Sequence, residues 1–228
     1  MKAHASSTWI APLLAVLAAA LGLAAAWADG VTLPPLKAIA ALLLAAPAWM
    51  GFVRTTRRIA EDGAAPASDL IFGLLLPALF LLLLACGTDH FVRGAWSWTA
   101  FATALPFVLL ATALPLAERF TQRAADLDAG RRSLAAAIAP NHAKLWLFGL
   151  SLPPYLWLVL QVGRDALPQA CAAALLTLLL SLPAARKLQD MDDQDELQDA
   201  LRLSALAAAA HGLILIAALT TGQHWPVF

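Results

Sequence analysis

Long apolar segments separated by short polar loops restrict this chain to very few folds. A helix needs about 20 mostly apolar residues to cross the roughly 30 Å hydrocarbon core of a bilayer. Only helices and closed barrels satisfy their backbone groups in lipid. We therefore predict an all-α fold, a polytopic transmembrane helical bundle that forms a single integral membrane domain over residues 1–228. About seven spans are expected, near residues 9–27, 36–53, 70–86, 98–116, 145–162, 168–182 and 203–219.

The composition excludes several other classes of protein. Charged residues make up only 13% of the chain, where a soluble domain has about a quarter, and the mean hydropathy is +0.73. Lys plus Arg and Asp plus Glu both total 15, so we expect no nucleic-acid partner. The two cysteines, Cys86 and Cys171, lie within apolar segments and form no C-x-x-C pair, which argues against a zinc site or a disulfide framework.

The first apolar segment has two interpretations. Lys2 before the run and the small residues around Trp27 form a pattern typical of a cleaved signal peptide. Trp9 and Trp27, however, flank the run in the way that interfacial anchors flank a membrane helix. Their spacing corresponds to about 27 Å of helix, close to the thickness of the hydrocarbon core. We therefore interpret this segment as the first transmembrane helix.

The loops predict the orientation of the chain. Cytoplasmic loops carry an excess of Lys and Arg. One predicted face has only Lys37, Arg93 and Arg164. The other face has twelve basic residues: Lys2, Arg54, Arg57, Arg58, Arg119, Arg123, Arg131, Arg132, Lys144, Arg186, Lys187 and Arg202. We expect a cytoplasmic N-terminus and an outward C-terminus, in a bacterial inner membrane, with the chemistry or docking on the cytoplasmic face.

The loop after the second span contains Arg54, Arg57 and Arg58. Such arginines commonly extend towards anionic headgroups, which is the simpler interpretation. Arginine also matches phosphate oxygens bidentately, so the same residues are candidates for binding a diphosphate or a lipid phosphate.

The loop after the fourth span has the most informative polar pattern. Glu118, Gln122 and Asp126 are spaced by four residues and would share one face of a helix. Asp126, with help from Asp128, could hold a hard cation such as Mg²⁺ against a diphosphate. Gly130 would end the helix, and Arg131 would offer a cation to the phosphate. The alternative on spacing alone is a solvated loop.

Three other polar features have simpler explanations. The acidic run over residues 190–199 precedes the last helix, whose positive dipole end favours carboxylates, so we expect a solvated helix start. His211 lies inside the last span, where a histidine bonded to a neighbouring helix is a simpler reading than a ligand. Tyr155 and Trp157 are candidates for lining a pocket, but they suit packing equally well.

The region around Asp126 resembles the UbiA-type aromatic prenyltransferase superfamily, most closely its menaquinone-pathway branch. The family's second aspartate-rich motif is approximately N-N-x-R-D-x-x-x-D-x-x-x-G-K-x-T-L-A. Its later half matches Asp126, Gly130, Arg131, Ser133, Leu134 and Ala135. Segments 105–113, 182–187, 200–201 and 211–213 are also similar to the family, and the likeness covers about residues 70–220.

Two departures from the family pattern shape the expected function. Gln122 stands where the second motif has its first aspartate, and residues 54–62 lack the carboxylates of the first motif, N-D-x-x-D-x-x-x-D. The family has nine helices, so seven spans imply that two helices are missing. In the family the two motifs hold magnesium ions, which bind the prenyl diphosphate.

The resemblance therefore implies a catalytically degenerate, prenyltransferase-like protein. It would bind an isoprenoid, quinone or pigment-type lipid or act as an accessory subunit beside other membrane subunits, with no certain cofactor. The candidate ligand-binding residues are Arg54, Arg57, Arg58, Gln122, Gly130, Arg131 and Ser133. The alternative is an active, divergent and magnesium-dependent enzyme that transfers a polyprenyl group from its diphosphate to an aromatic acceptor, with Asp126 and Asp128 as its candidate catalytic residues and Asp126 as a metal ligand. A transporter is a third possibility, which the shortage of charge inside the spans disfavours.

Overall fold

The structure, a computed structural model, describes residues 7–62, 70–130, 133–138, 149–187 and 194–221. Within these ranges the regular elements are all helices. We label them α1 to α8, namely Ser7–Ala28, Pro35–Asp62, Ile71–Arg93, Trp98–Asp128, Leu134–Ala137, Pro153–Gly163, Gln169–Lys187 and Gln194–Thr221. Helix α3 opens with a π-helical turn, Ile71–Leu75, and α7 opens with a 3₁₀ stretch, Gln169–Thr177.

The described helices confirm the all-α fold, and their lengths and compositions agree with a membrane protein. Within the described residues, five segments are long and apolar enough to cross a bilayer: Pro35–Arg54, Ile71–Arg93, Trp98–Asp128, Gln169–Lys187 and Asp195–Thr221. The predicted first span coincides with α1, whose apolar part Pro12–Ala28 is shorter. The predicted fifth span is described only from residue 149 onwards and contains α6. Seven spans therefore stays a prediction.

Three helices extend well beyond the apolar segments that predict them. Helix α3 continues to Arg93, where Gly94 adopts φ 82° and donates its N–H to the His90 carbonyl at 2.7 Å. Helix α4 begins after Ser97, whose Oγ accepts from the Ala100 N–H at 3.1 Å, and it has 31 residues. Its length is therefore about 46 Å, which exceeds the roughly 30 Å of a hydrocarbon core. Helix α8 likewise starts at Gln194, nine residues before the predicted span.

Small residues let the central helices approach closely. Helix α1 packs against α2, α3, α4 and α8, and its residues Ala15, Ala18, Ala19 and Ala25 are fully buried. Gly22 of α1 lies so near α3 that an added Cβ would collide with the Ala85 carbonyl oxygen. This use of small residues is typical of helices that pack in lipid.

The helices differ greatly in how deeply they are buried. In α4, 78% of the most apolar window is buried inside the protein, whereas in α2 the figure is 11%. Helix α4 is therefore a central helix of the bundle. Helix α2 lies at its periphery, with most of its apolar window not buried by the rest of the described chain.

Candidate functional site

The predicted cytoplasmic site lies at the far end of α4. Glu118, Gln122 and Asp126 are all on this helix, so they share one face as their spacing predicts. Gln122 is exposed, while Glu118 and Asp126 are half-buried, and Asp128 is the exposed last residue of the helix. Because α4 is longer than the bilayer core is thick, we expect this face to lie at or beyond the headgroups.

The turn after α4 depends on two residues of the family-like motif. Gly130 has φ 65° and donates its N–H to the Leu127 carbonyl at 3.1 Å, so the predicted helix end at this glycine is confirmed. Ser133 caps α5, because its Oγ accepts from the Ala136 N–H at 3.2 Å. Leu134 and Ala135, the next residues of the motif, are buried. Together these residues fold the chain back against α4.

Two arginines of α4 contribute to packing near the same site. The Nε of Arg123 donates to the Ala135 carbonyl at 3.0 Å and so fastens α5 to α4. The guanidinium of Arg119 lies against Gly73 of α3, where an added Cβ would collide with it. The sequence predicts both residues as part of the cytoplasmic charge excess, and Arg119 also occupies, with Glu118, the position of the asparagine pair in the family's second motif.

The remaining predicted ligand-binding residues are only partly covered by the structure. Arg54 is an exposed residue of α2. The side chains of Arg57 and Arg58, and all of Arg131, lie outside the described residues. A joint binding site of these arginines with Gln122 and Asp126 therefore stays a prediction.

The described residues offer few ligands to a metal ion. In the parts of the chain that the structure covers, no group of three or more His, Cys, Asp or Glu residues could hold one. At the predicted site the described carboxylates are those of Glu118, Asp126 and Asp128, and Mg²⁺ is usually held by one or two carboxylates together with substrate phosphates. Asp126 as a magnesium ligand remains a prediction.

A network of charged residues lies at the opposite, predicted outward end of the bundle. Arg93 Nη2 lies 2.6 Å from Asp29 Oδ2 and 3.0 Å from Asp89 Oδ1, and the Thr99 hydroxyl donates to Asp29 Oδ1 at 2.9 Å. Asp89 is fully buried, and its Oδ2 has no hydrogen-bond partner among the described residues. This network joins α1, α3 and α4. The sequence predicts Arg93 on the outward face but not its partners, although the spacing of Asp89 and Arg93 by four residues is a signal for a helical pair.

A second polar cluster crosses the interior between α6, α7 and α8. Tyr155 Oη donates to Ser181 Oγ at 2.9 Å, so at its 3.1 Å contact with Thr177 Oγ1 the phenol oxygen accepts. The Thr177 hydroxyl gives its own hydrogen to that oxygen or to the Ala174 carbonyl at 2.7 Å. Thr177 Oγ1 also lies 3.0 Å from His211 Nδ1, and the tautomer of the imidazole decides which of these two atoms donates.

The other ring nitrogen of His211, Nε2, is buried and has no hydrogen-bond partner within the described part of the chain. The prediction that His211 bonds to a neighbouring helix is confirmed. Thr177 and Ser181 were missed, because a hydroxyl in an apolar segment gives no distinctive signal when its partner lies 34 residues away.

The remaining polar and aromatic candidates take part in packing contacts. The indole N–H of Trp157 donates to the Ala102 carbonyl of α4 at 3.0 Å. Lys187 Nζ lies 2.6 Å from Glu196 Oε2 and 3.3 Å from Asp199 Oδ2, which joins α7 to the start of α8. The acidic run thus includes the first turn of a helix, as predicted, and residues 188–193 lie outside the described part.

No protein-family model, curated protein or solved structure matches this chain. The resemblance to the UbiA-type superfamily therefore rests on the residues of the sequence alone.

Proposed function

We propose that this protein binds an isoprenoid, quinone or pigment-type lipid in a UbiA-like helical bundle and does not transfer a prenyl group. It works alone or as an accessory subunit of a larger membrane complex. We also propose that it lies in a bacterial inner membrane with its N-terminus in the cytoplasm and its C-terminus outside, because twelve of its fifteen basic residues fall on one predicted face.

The observation that supports a non-catalytic role is that the second motif retains its structural residues but has lost one of its metal-binding positions. The matching residues Gly130, Ser133, Leu134 and Ala135 all build the turn after α4. At the position where the family has a metal-binding aspartate, Gln122 is exposed and uncharged. The motif therefore keeps the residues that the fold requires and lacks a carboxylate that the chemistry requires.

Prenyl transfer is demanding because a diphosphate must leave from an allylic carbon. Metal ions and preorganised donors supply the charge that stabilises the departing group. Arg54, with the predicted contributions of Arg57, Arg58 and Arg131, could attract a phosphate without reproducing that metal geometry. A lipid with a polar or anionic head would place its head at this end of α4 and its tail among the helices.

Activity and binding can be measured on the same sample. Purified protein in lipid nanodiscs is incubated with Mg²⁺, a polyprenyl diphosphate and an aromatic acceptor acid, and prenylated product is followed by mass spectrometry. We expect no product above protein-free nanodiscs, and we expect a fluorescent polyprenyl quinone to bind saturably.

The isosteric variants Asp126→Asn and Asp128→Asn provide the control for catalysis. Product that disappears in Asp126→Asn would establish the alternative, an active prenyltransferase. Absence of both turnover and saturable quinone binding would refute the proposed lipid-binding role.

A further inference from the structure

A groove runs along the lipid-facing side of the contact between α2 and α3, away from the site at the end of α4. It has a volume of about 280 Å³ and is lined on one side by Ala41, Ala45 and Ala48 and on the other by Leu83, Gly87 and Phe91. Thr88 also lines it, but its hydroxyl donates to the Leu84 carbonyl at 2.7 Å. The walls are therefore apolar, and an occupant gains hydrophobic contact without finding hydrogen-bond donors.

The length and lining of the groove suit an extended hydrocarbon chain. From Ala40 to Ala48 the groove follows nine residues of α2, a rise of about 12 Å. Its wall on α2 is formed mainly by alanines, whose short side chains leave room for a chain to lie along the helix. An acyl chain would therefore contact apolar side chains along this whole length.

A cation stands at one end of this groove. Lys37 is exposed in the first turn of α2, one turn before Ala40 and Ala41. Its Nζ donates to the Phe91 carbonyl at 3.2 Å and lies 5.2 Å from the centroid of the Phe91 ring, and Phe91 itself lines the groove. Among the described residues no carboxylate lies within ion-pair distance of Lys37. The aspartates of the same end of the bundle, Asp29 and Asp89, both pair with Arg93.

We propose that this groove binds an anionic phospholipid, with one acyl chain between α2 and α3 and the headgroup phosphate at Lys37. An apolar channel that ends at an unpaired cation at the predicted outward interface complements a molecule with a hydrocarbon tail and a negative head. The positive dipole end of α2 adds to the attraction. This site is independent of the proposed function, because it lies on the lipid-facing surface between α2 and α3 and shares no residue with the end of α4.

The test is native mass spectrometry of delipidated protein in a non-ionic detergent. Phosphatidylglycerol and phosphatidylcholine with identical acyl chains are added separately, and the fraction of protein that retains one lipid is measured. We expect phosphatidylglycerol to bind about fivefold more tightly, as the attraction between one lysine and an anionic headgroup implies. Lys37→Gln should remove this preference, whereas Arg164→Gln, which removes another exposed cation of the predicted outward face, should keep it.

Filling the groove tests the acyl chain separately from the head. An added Cβ at Gly87 meets nothing within 4 Å, so Gly87→Leu should occupy the groove without displacing α2, and it should reduce binding of both lipids. Ala48→Leu, which narrows the groove from the other wall, should act in the same direction. Gly51→Leu, also in open space, is the matched control.

Equal binding of the two lipids to the unmodified protein, or undiminished lipid binding by both Gly87→Leu and Ala48→Leu, would overturn the proposal. A further outcome would also overturn it. If Gly87→Leu or Ala48→Leu released a protein that co-purifies with the unmodified chain and left lipid binding unchanged, this face would be assigned to a partner subunit.

Discussion

At the scale of single residues, Arg93 matters most because it provides the counter-charge for a fully buried carboxylate. It binds Asp89, which is fully buried, and Asp29, which is partly exposed. We expect Arg93→Gln to lower the free energy of unfolding by about 3–5 kcal/mol, because it leaves a buried carboxylate without a counter-charge. The measurement is unfolding of the detergent-solubilised protein by sodium dodecyl sulfate, followed by circular dichroism.

The control for this prediction is Arg202→Gln. Arg202 is 76% exposed and pairs loosely with Asp199 at 3.7 Å, so its loss should hardly move the unfolding midpoint. A similar, small change in both variants would show that water or another cation reaches Asp89.

Gly130 is the residue at which backbone conformation matters most for the predicted site. Its φ of 65° is in the left-handed region, so Gly130→Ala should cost about 1 kcal/mol of stability. Gly51 lies inside helix α2 in open space, and Gly51→Ala should be neutral or stabilising, since alanine favours helix. Thermal unfolding of both variants checks the difference, and a loss of equal size in the two would contradict it.

The sequence predicted some of these residues and missed others for clear reasons. Gly130 was predictable because a glycine after an amphipathic helix segment is a local signal. The network of Asp29, Asp89 and Arg93 was not, because hydropathy treats charged residues as the end of a span even where the helix continues. The fully buried contact of His211 with Thr177 depends on how α7 and α8 pack, which no local pattern encodes.

At the scale of helices, the contact between α1 and α3 depends on one glycine. An added Cβ at Gly22 would collide with the Ala85 carbonyl and lie 3.0 Å from Thr88 Cβ. We expect Gly22→Ala to push the two helices apart and to cost about 1–3 kcal/mol, as overpacking does. Gly87→Ala in α3 faces open space and should cost much less. The sodium dodecyl sulfate midpoints of the two variants test this, and equal midpoints would mean that α1 and α3 adjust freely.

The sequence predicted where most of the helices lie, but it did not predict where they end. Apolar segments located α2, α3, α4, α7 and α8 correctly, because lipid exposure demands long apolar stretches. The ends of α3 and α4 lie seven and twelve residues beyond the predicted spans, at Arg93 and Asp128. Those extra turns are polar, and they carry both the charge network of the predicted outward end and the candidate site.

At the scale of the whole molecule, the orientation in the membrane can be tested with single cysteines. Ala95 and Ala129 are exposed and lie at opposite ends of α4, whereas the native Cys86 and Cys171 are buried. In intact cells a membrane-impermeant maleimide should label Ala95→Cys and should label Ala129→Cys only after the membrane is permeabilised. The reverse pattern would contradict the orientation that the basic residues predict.

The arrangement of helices around α1, α4 and α8 could not be read from the sequence. Alanine-rich segments predict close packing without choosing partners, because alanine fits against many surfaces. Peripheral α2 and central α4 have similar hydropathies, 1.8 and 1.9, yet 11% and 78% of their apolar windows are buried. In a membrane, hydropathy reports insertion into lipid and carries little information about which helix occupies the centre.

The order of synthesis gives the Asp29–Arg93 pair a role in biogenesis. Asp29 leaves the ribosome 64 residues before Arg93, so the end of α1 enters the membrane region without its counter-charge. Until α3 has been inserted, Asp29 must stay hydrated or be held by the insertion machinery. Once Arg93 has been inserted, its ion pair with Asp29 joins α1 to α3. The Thr99 hydroxyl then donates to Asp29 and attaches the start of α4 to the same site. The first productive assembly intermediate should therefore be a nascent chain that has already exposed residue 99.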